Sequence, residues 1–268
     1  EAKKVIYRLL LLFEQLTFRL ADHVIATNES YKQIARERGK KATHAISIVR
    51  NGPDLERFRP VVPDPWLRAK APTILGYVGI MGPQDGIDYL LRALHNLVYQ
   101  LKRQDVFCVI IGKGADLDAL KALAATLGLA DHVWFTGWIP DEDLLRYLST
   151  ADICLDPDPS NPFNDRCTMI KMTEYMALGK PIVAFDLPEH RFSAQNAAVY
   201  AKGNDEMAFA AKIAELIDDP EQRAQMGRIG TERIASMLAW SHQEPALLAA
   251  YASLFSKTLV QPTKVITE

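Results

Sequence analysis

The middle of this 268-residue chain alternates short apolar runs with amphipathic stretches, and this alternation limits the folds it can adopt. Helical patterns separate apolar runs of strand length, which lie at 73–78, 106–111, 132–136, 153–155 and 181–185. Strands joined by helices predict βαβ units, and these form parallel sheets with helices on both faces. We therefore expect an α/β fold with a Rossmann-like, doubly wound parallel sheet.

Composition and charge exclude several classes of protein. The formal net charge of -2 argues against a nucleic-acid partner, because a duplex binder needs a basic excess. The three cysteines lack metal-ligand spacing, which argues against a zinc site or disulfide framework and favours a reducing, cytoplasmic compartment. Two of them, Cys108 and Cys154, fall in strand-like runs and are expected to be core residues.

The N-terminal region contains the apolar run at 9–13, which is too short to cross a bilayer. It predicts a helix packed on a core, with peripheral membrane contact as the alternative. Further along, four prolines between Arg57 and Pro72 are typical of a linker, so a domain boundary is expected there.

Four loops follow predicted strands, where doubly wound sheets bind their ligands. Gly79 and Gly82 precede a helix, so the backbone can approach a phosphate; the alternative is a simple tight turn. Lys113 follows the second strand as a candidate phosphate contact, against the alternative of a solvated lysine. Trp138 follows the third as a candidate nucleobase contact, against the alternative of ordinary packing.

The fourth loop is the most informative, because it is polar, proline-rich and runs into a predicted helix at 169–178. The first amides of that helix, the Thr168 hydroxyl and the Lys171 ammonium are candidate ligands of a diphosphate. Glu174 lies one turn beyond Lys171, where its carboxylate would accept two ribose hydroxyls. The alternative is an ion pair between Lys171 and Glu174 on a solvated helix face.

Three stretches of the sequence resemble one enzyme family. The run EYMALGKPIVAFD, from Glu174 to Asp186, resembles the donor-site helix and following strand of the retaining, GT-B-fold group 1 glycosyltransferases, which are family 4-like. The runs at 49–60 and 240–243 are similar to the interdomain linker of that family and to the segment that crosses back toward its N-terminal domain.

This resemblance covers essentially the whole chain and implies three segments. Residues 1–58 would be a remnant of the N-terminal, acceptor-side domain with its linker. Residues 59–239 would be the donor-binding domain, and residues 240–268 a C-terminal crossing helix and tail. Because most of the acceptor domain would be missing, we expect the chain alone to bind donor but to transfer sugar poorly.

The resemblance also implies a reaction and its site. The donor would be a UDP- or GDP-linked sugar, which is a substrate rather than a cofactor, and no metal would be needed. A glycan, glycolipid or small molecule would be the acceptor, and transfer would retain the anomeric configuration. The residues implied at the donor are Glu174 at the ribose; Thr168, Met169 and Lys171 at the diphosphate and sugar; and Gly79 with Gly82 along the cleft.

The sequence departs from the family pattern in the first loop. Ile80 and Asp85 stand where the family often has an arginine and a lysine on the donor phosphates. Phosphate binding must then depend on other groups, such as Lys171, Lys113 or Arg191.

A second departure concerns the family's pair of glutamates separated by seven residues. Glu174 matches the second glutamate, whereas Arg166 stands at the position of the first. The adjacent Asp165 is the candidate replacement near the sugar, and we expect it to act with Lys171 as a catalytic group.

Two other classes of function remain open on the sequence. One is a non-catalytic nucleotide-sugar-binding or scaffold module of a polysaccharide assembly system, which the changes at Ile80, Asp85 and Arg166 would favour. The other is a sugar-nucleotide epimerase, which would need a carboxylate and histidine constellation that the sequence does not reveal. His190 follows a predicted strand and is interpreted as a solvated loop residue, with a contact to the donor sugar as the alternative.

Overall fold

The computed structural model describes residues 2–258 and divides the chain into two compact units. The larger unit contains residues 52–239, and the smaller one combines the segments on either side of it. Residues 52–58, which the sequence analysis placed with the preceding segment, lie in the larger unit.

The smaller unit begins with two helices and two short strands. Helix α1 (Ala2–Leu20) is followed by β1 (Val24–Ala26), α2 (Glu29–Glu37) and β2 (Ile46–Ile48). The two strands pair in parallel. Asn28 caps α2 as its sequence position suggests, because its side-chain oxygen accepts a hydrogen bond from the Tyr31 backbone N–H at 2.8 Å.

Helix α1 differs from the prediction of a core-facing helix. The buried apolar cluster of this unit contains only Ala26, Ala35 and Ile46 among the described residues, and it cannot cover a 19-residue helix. The exposed apolar side chains of α1 are Val5, Ile6, Tyr7, Leu9, Leu10, Leu12, Phe13, Leu16 and Leu20. Within residues 2–258, no helix is both long enough and apolar enough to span a membrane.

The larger unit is built on a sheet of six parallel strands, as predicted. The strands are β3 (Thr73–Val78), β4 (Val106–Ile111), β5 (Val133–Gly137), β6 (Ile153–Asp156), β7 (Ile182–Phe185) and β8 (Ala198–Ala201). Their order is β5-β4-β3-β6-β7-β8. The winding direction therefore reverses between β3 and β6, and doubly wound sheets bind ligands at such a switch point.

Helices cover both faces of this sheet. They are α3 (Pro65–Arg68), α4 (Ile87–His95), α5 (Leu117–Thr126), α6 (Asp141–Thr150), α7 (Ile170–Ala177), α8 (Pro188–Ala194), α9 (Glu206–Asp218) and α10 (Pro220–Arg233). The sequence pattern from Gly86 to Gln104 predicts one longer helix, but in the structure α4 ends at His95 and a π-helical turn follows at Asn96–Gln100.

Two apolar clusters fill the spaces between the sheet and its helices. Alternate residues of β4 face opposite sides, so that Cys108 belongs to one cluster and Val109 to the other. Cys108 and Cys154 are fully buried, which confirms that they are core residues, and burial raises the pKa of the Cys154 thiol to about 12.

The last helix, α11 (Trp240–Thr258), belongs to the smaller unit. Its Gln243 side-chain oxygen accepts a hydrogen bond from the Arg50 backbone N–H at 3.2 Å.

Candidate functional site

The four predicted loops lie side by side at the carboxyl ends of β3, β4, β5 and β6. Backbone hydrogen bonds join the first three loops. The Gly79 N–H donates to the Ile111 carbonyl at 3.0 Å, and the Gly112 N–H donates to the Gly137 carbonyl at 3.1 Å. These strand ends therefore form one continuous edge.

The loop after β3 packs against the loop after β6, across the switch point. Asn164 is fully buried, and its side-chain amide donates to the carbonyls of Gln84 and Pro159, both at 2.9 Å. Gly86 has a φ of +65°, and a Cβ there would lie 2.1 Å from the Pro157 carbonyl oxygen. Only glycine fits this close approach between the two backbones.

Asp85 has a structural role inside the first loop. Its carboxylate accepts a hydrogen bond from the Gly82 N–H at 3.0 Å, so this amide is used within the loop. Burial raises the pKa of Asp85 above its usual value. Ile80, the other departure in this loop, is 66% exposed.

Glu174 offers a carboxylate without a protein partner. It lies on α7, which begins soon after the fourth loop, and its side chain is partly buried. Within residues 2–258 this side chain makes no hydrogen bond and no ion pair shorter than 4 Å, so the alternative, an ion pair between Lys171 and Glu174, is not formed. Burial raises the pKa of Glu174, and the Arg57 guanidinium partly offsets this effect.

Lys171 points into a buried cluster of charged groups. Its ammonium nitrogen lies 3.2 Å from Asp156 Oδ1 and 2.9 Å from Asp158 Oδ2. The Lys171 side chain is only 10% exposed. Burial opposes ionisation of Asp156, but the Lys171 ammonium together with the neighbouring His190 and Asp158 side chains outweighs burial and lowers the pKa of Asp156. Burial and the neighbouring Asp156 raise the pKa of Asp158. The predicted phosphate contact of Lys171 thus competes with two carboxylates.

His190 is part of the same cluster, and its interpretation as a solvated loop residue is wrong. It is fully buried on α8, with Nδ1 2.9 Å from the Phe185 carbonyl oxygen and Nε2 3.5 Å from Asp156 Oδ2. Ligand atoms of Asp156, Asp158 and His190 lie within 4.8 Å of one another. The cation beside these carboxylates is the Lys171 ammonium.

The remaining predicted residues of the fourth loop surround the start of α7. The Thr168 hydroxyl donates to Glu189 Oε2 at 3.2 Å. Met169 occupies the N-cap position, and its side chain makes no capping hydrogen bond. Asp165 Oδ1 accepts a hydrogen bond from the Ser160 hydroxyl at 3.0 Å. The first backbone N–H groups of α7 therefore lack a side-chain cap at Met169.

The predicted residues of the second and third loops are accessible. Lys113 is exposed, and Trp138 is 70% exposed, so packing in the core does not account for this tryptophan. Arg191, named as a further phosphate contact, instead pairs with Asp186 at 2.6 Å and lies over the Tyr200 ring at 4.0 Å.

Curated proteins that resemble this chain are glycosyltransferases. The D-inositol 3-phosphate glycosyltransferase of Nocardia farcinica is 27% identical over 245 residues, which are 87% of this chain and 53% of that protein. The GDP-mannose-dependent alpha-(1-6)-phosphatidylinositol monomannoside mannosyltransferase of Mycolicibacterium smegmatis is 31% identical over 199 residues, or 69% and 50% of the two proteins. The chain spans about half the length of these relatives.

Solved structures share the fold. Sucrose-phosphate synthase from Thermosynechococcus elongatus has a TM-score of 0.77 at 24% identity, covering 92% of this chain and 62% of that one. Anabaena Alr3699/HepE in complex with UDP and glucose has a TM-score of 0.72 at 18% identity, covering 89% and 65%. The family model of group 1 glycosyl transferases matches residues 59–233, which are more than half of the chain. The chain therefore belongs to the group 1 glycosyltransferases.

Proposed function

We propose that residues 52–239 bind a nucleotide-diphosphate sugar for retaining glycosyl transfer to a glycan, glycolipid or small-molecule acceptor. The donor would occupy the carboxyl edge of the sheet near the β3–β6 switch point. The residues proposed to line its site are Gly79, Gly82, Lys113, Trp138, Asp165, Thr168, Met169 and Glu174, and Lys171 lies in the first turn of the same helix as Glu174.

Glu174 is the observation that carries this proposal. Its carboxylate is partly buried and has no hydrogen-bond donor within the described chain, although an ionised carboxylate accepts several hydrogen bonds when donors are present. It lies one turn from the start of α7, whose first N–H groups favour an anion. A hydroxyl acceptor beside an anion-binding helix end suits the ribose and diphosphate of one nucleotide.

The same groups suit the chemistry of transfer. When the bond from the sugar to the diphosphate breaks, negative charge develops on the diphosphate and positive charge on the sugar. The N–H groups at the start of α7 would stabilise the departing diphosphate. Asp165, on the loop that precedes this helix, would stabilise the charge on the sugar. The acceptor hydroxyl would attack the face from which the diphosphate leaves, its oxygen would form the new glycosidic bond, and its proton would pass to the departing diphosphate.

The named relatives support a nucleotide-sugar donor. One is described as GDP-mannose-dependent, and one solved structure of this fold contains UDP and glucose. Neither name identifies the base or the sugar for this chain. We propose a cytoplasmic enzyme. Because α1 exposes apolar residues, the proposal includes peripheral contact of this helix with a membrane.

A non-catalytic donor-binding or scaffold module is the second candidate. It is favoured by Asp85, which accepts a hydrogen bond from Gly82 of its own loop at a position where the family often has a basic residue on the donor phosphates. Sugar transfer by the full-length protein, with the donor's anomeric configuration kept in the product, would exclude this candidate.

Calorimetric titration of the purified chain with UDP, GDP and their sugar conjugates tests the proposed donor site. Glu174→Ala removes about two hydrogen bonds to a charged group. The Kd for the nucleotide should therefore rise on the order of a hundredfold. The matched control is Glu215→Ala, which removes an exposed helical glutamate that pairs with Lys212.

We expect the control to bind like the wild type. Equal binding by Glu174→Ala and wild type would contradict the ribose assignment. A folded wild-type chain that binds none of these nucleotides would contradict the proposed function itself.

A further inference from the structure

We infer that Lys171 is a positioning residue, which fixes the start of α7 for the donor while its ammonium stays in the protein cluster, away from the donor phosphates. Asp156 and Asp158 are its partners in this role. The role rests on the proposed function, because the helix it fixes is the proposed donor helix.

Three protein groups surround the Lys171 ammonium. It donates a hydrogen bond to Asp158 Oδ1 at 3.0 Å and forms an ion pair with Asp156 Oδ1 at 3.2 Å. It also lies 5.0 Å from the centroid of the Tyr77 ring, a distance at which a cation and an aromatic face attract each other. A phosphate oxygen would therefore have to displace one of these partners.

Moving the ammonium toward a phosphate would leave the two aspartates without their cation. Asp156 is fully buried and Asp158 is 1% exposed. A buried charge that loses its partner is strongly destabilising, because water does not replace the lost interaction. His190 Nε2 is 3.5 Å from Asp156 Oδ2 and makes no hydrogen bond among the described residues, so it cannot replace the ammonium for both carboxylates.

The cluster joins the elements that flank the switch point. Asp156 ends β6, Tyr77 lies near the end of β3, and Lys171 lies in the first turn of α7. Tyr175, one turn further along α7, makes a second connection to the same two strands. Its hydroxyl accepts a hydrogen bond from the Val78 N–H at 2.9 Å and donates to the Leu155 carbonyl at 3.3 Å.

Lys171 and Tyr175 are four residues apart, so they lie on the same face of α7. That face is held against the ends of β3 and β6. Glu174, which lies between them in sequence, depends on this connection for its position. Removing the Lys171 ammonium should therefore displace both the Glu174 carboxylate at the ribose and the backbone N–H groups at the start of α7.

Binding of two ligands by the full chain separates a positioning role from a phosphate contact. UDP and uridine are titrated into wild type, Lys171→Met, Asp158→Asn and the double variant, or GDP and guanosine if the wild type selects guanine. A positioning residue predicts that Lys171→Met weakens the diphosphate and the nucleoside by the same factor, roughly tenfold. Asp158→Asn should weaken both in the same way, and the double variant should be no weaker than the weaker single variant.

A phosphate contact predicts different results. Lys171→Met would then weaken UDP and leave uridine unchanged, and Asp158→Asn would release the ammonium and tighten UDP. Either result would overturn the positioning role. Asp158→Asn keeps the side-chain volume. If Lys171→Met does not fold, the binding of UDP and of uridine by Asp158→Asn still distinguishes the two roles.

Hydrogen exchange of the ligand-free chain tests the role without a nucleotide. Lys171→Met and Asp158→Asn should each accelerate amide exchange at 157–175, whereas Lys212→Met, at a surface lysine of α9, should not. Unchanged exchange at 157–175 in both variants would overturn the role. A wild type that binds neither UDP nor GDP, combined with accelerated exchange, would contradict the donor function and leave the structural connection supported.

Discussion

Glu174 combines a proposed binding role with an unfavourable local environment. Its carboxylate is partly buried and has no hydrogen-bond donor among residues 2–258, and burial raises its pKa. A raised carboxyl pKa means that the folded chain binds the proton more tightly than the unfolded chain. The ionised side chain therefore lowers the free energy of unfolding above its folded pKa, and this loss disappears as the pH falls toward the unfolded value.

Glu174→Gln should consequently stabilise the protein while weakening the nucleotide. At neutral pH the neutral amide removes the burial penalty of the charge, and we expect a gain of about 1 kcal/mol in the free energy of unfolding. Urea denaturation of the variant and the wild type at pH 7 and at mildly acidic pH measures this gain in the free energy of unfolding. The gain should shrink at the lower pH, because the raised pKa lets wild-type Glu174 take up a proton in the folded chain before it does so in the unfolded chain. A variant less stable than wild type at pH 7 would contradict this account.

The sequence could predict which residues belong to the site only where those residues are close together along the chain. Glu174 and the residues at the start of α7 lie on one helix and its preceding loop, so spacing alone brings them together. The partners of Lys171 could not be predicted in this way. Asp156 and His190 come from different elements, and their contacts exist only after β6, α7 and α8 pack together.

The contact between the first and fourth loops depends on glycine at Gly86. Gly86 and Gly137 both have positive φ, at +65° and +71°. A Cβ at Gly86 would lie 2.1 Å from the Pro157 carbonyl oxygen, whereas a Cβ at Gly137 would meet nothing within 4 Å. A substitution at Gly137 therefore tests backbone strain alone, whereas a substitution at Gly86 tests backbone strain together with the close approach of the two loops.

Gly137→Ala should cost only the strain of a left-handed alanine, about 1 kcal/mol. Gly86→Ala should cost about 3 kcal/mol or more, because the backbone of the fourth loop must also move. Urea denaturation of both variants measures the difference, and Gly86→Ala should in addition weaken UDP. Equal costs at the two positions would mean that the loops adjust freely and that their contact does not order the site.

Among the elements, the strands were the easiest to predict, because β3, β4, β6 and β7 are short, mostly apolar runs that are buried on both faces. The short helices were the hardest. Helices α3 and α8 each begin at a proline and have seven residues or fewer, so they resemble linker or loop in sequence. Missing α8 is what led to the wrong interpretation of His190.

At the scale of the whole molecule, the two compact units have very different cores. The unit of residues 52–239 buries two extensive apolar clusters, one on each face of its sheet. The described part of the other unit buries a cluster of three residues beside a two-stranded sheet. Because apolar burial is the main favourable contribution to folding, β1 and β2 should lose their structure before β3 to β8.

Hydrogen exchange across a urea series, with and without UDP, tests this difference together with the position of the site. Amides at 24–48 should lose protection at lower urea than amides at 73–201, because fewer apolar groups hold them in place. A ligand that binds only the folded form stabilises it by about 2.7 kcal/mol at a hundred times its Kd. All contacts proposed for the donor lie within residues 52–239, so UDP should shift the transition of that unit and leave amides at 24–48 unchanged. A single transition for both regions, shifted as one by UDP, would mean that the chain unfolds cooperatively despite the small core around β1 and β2.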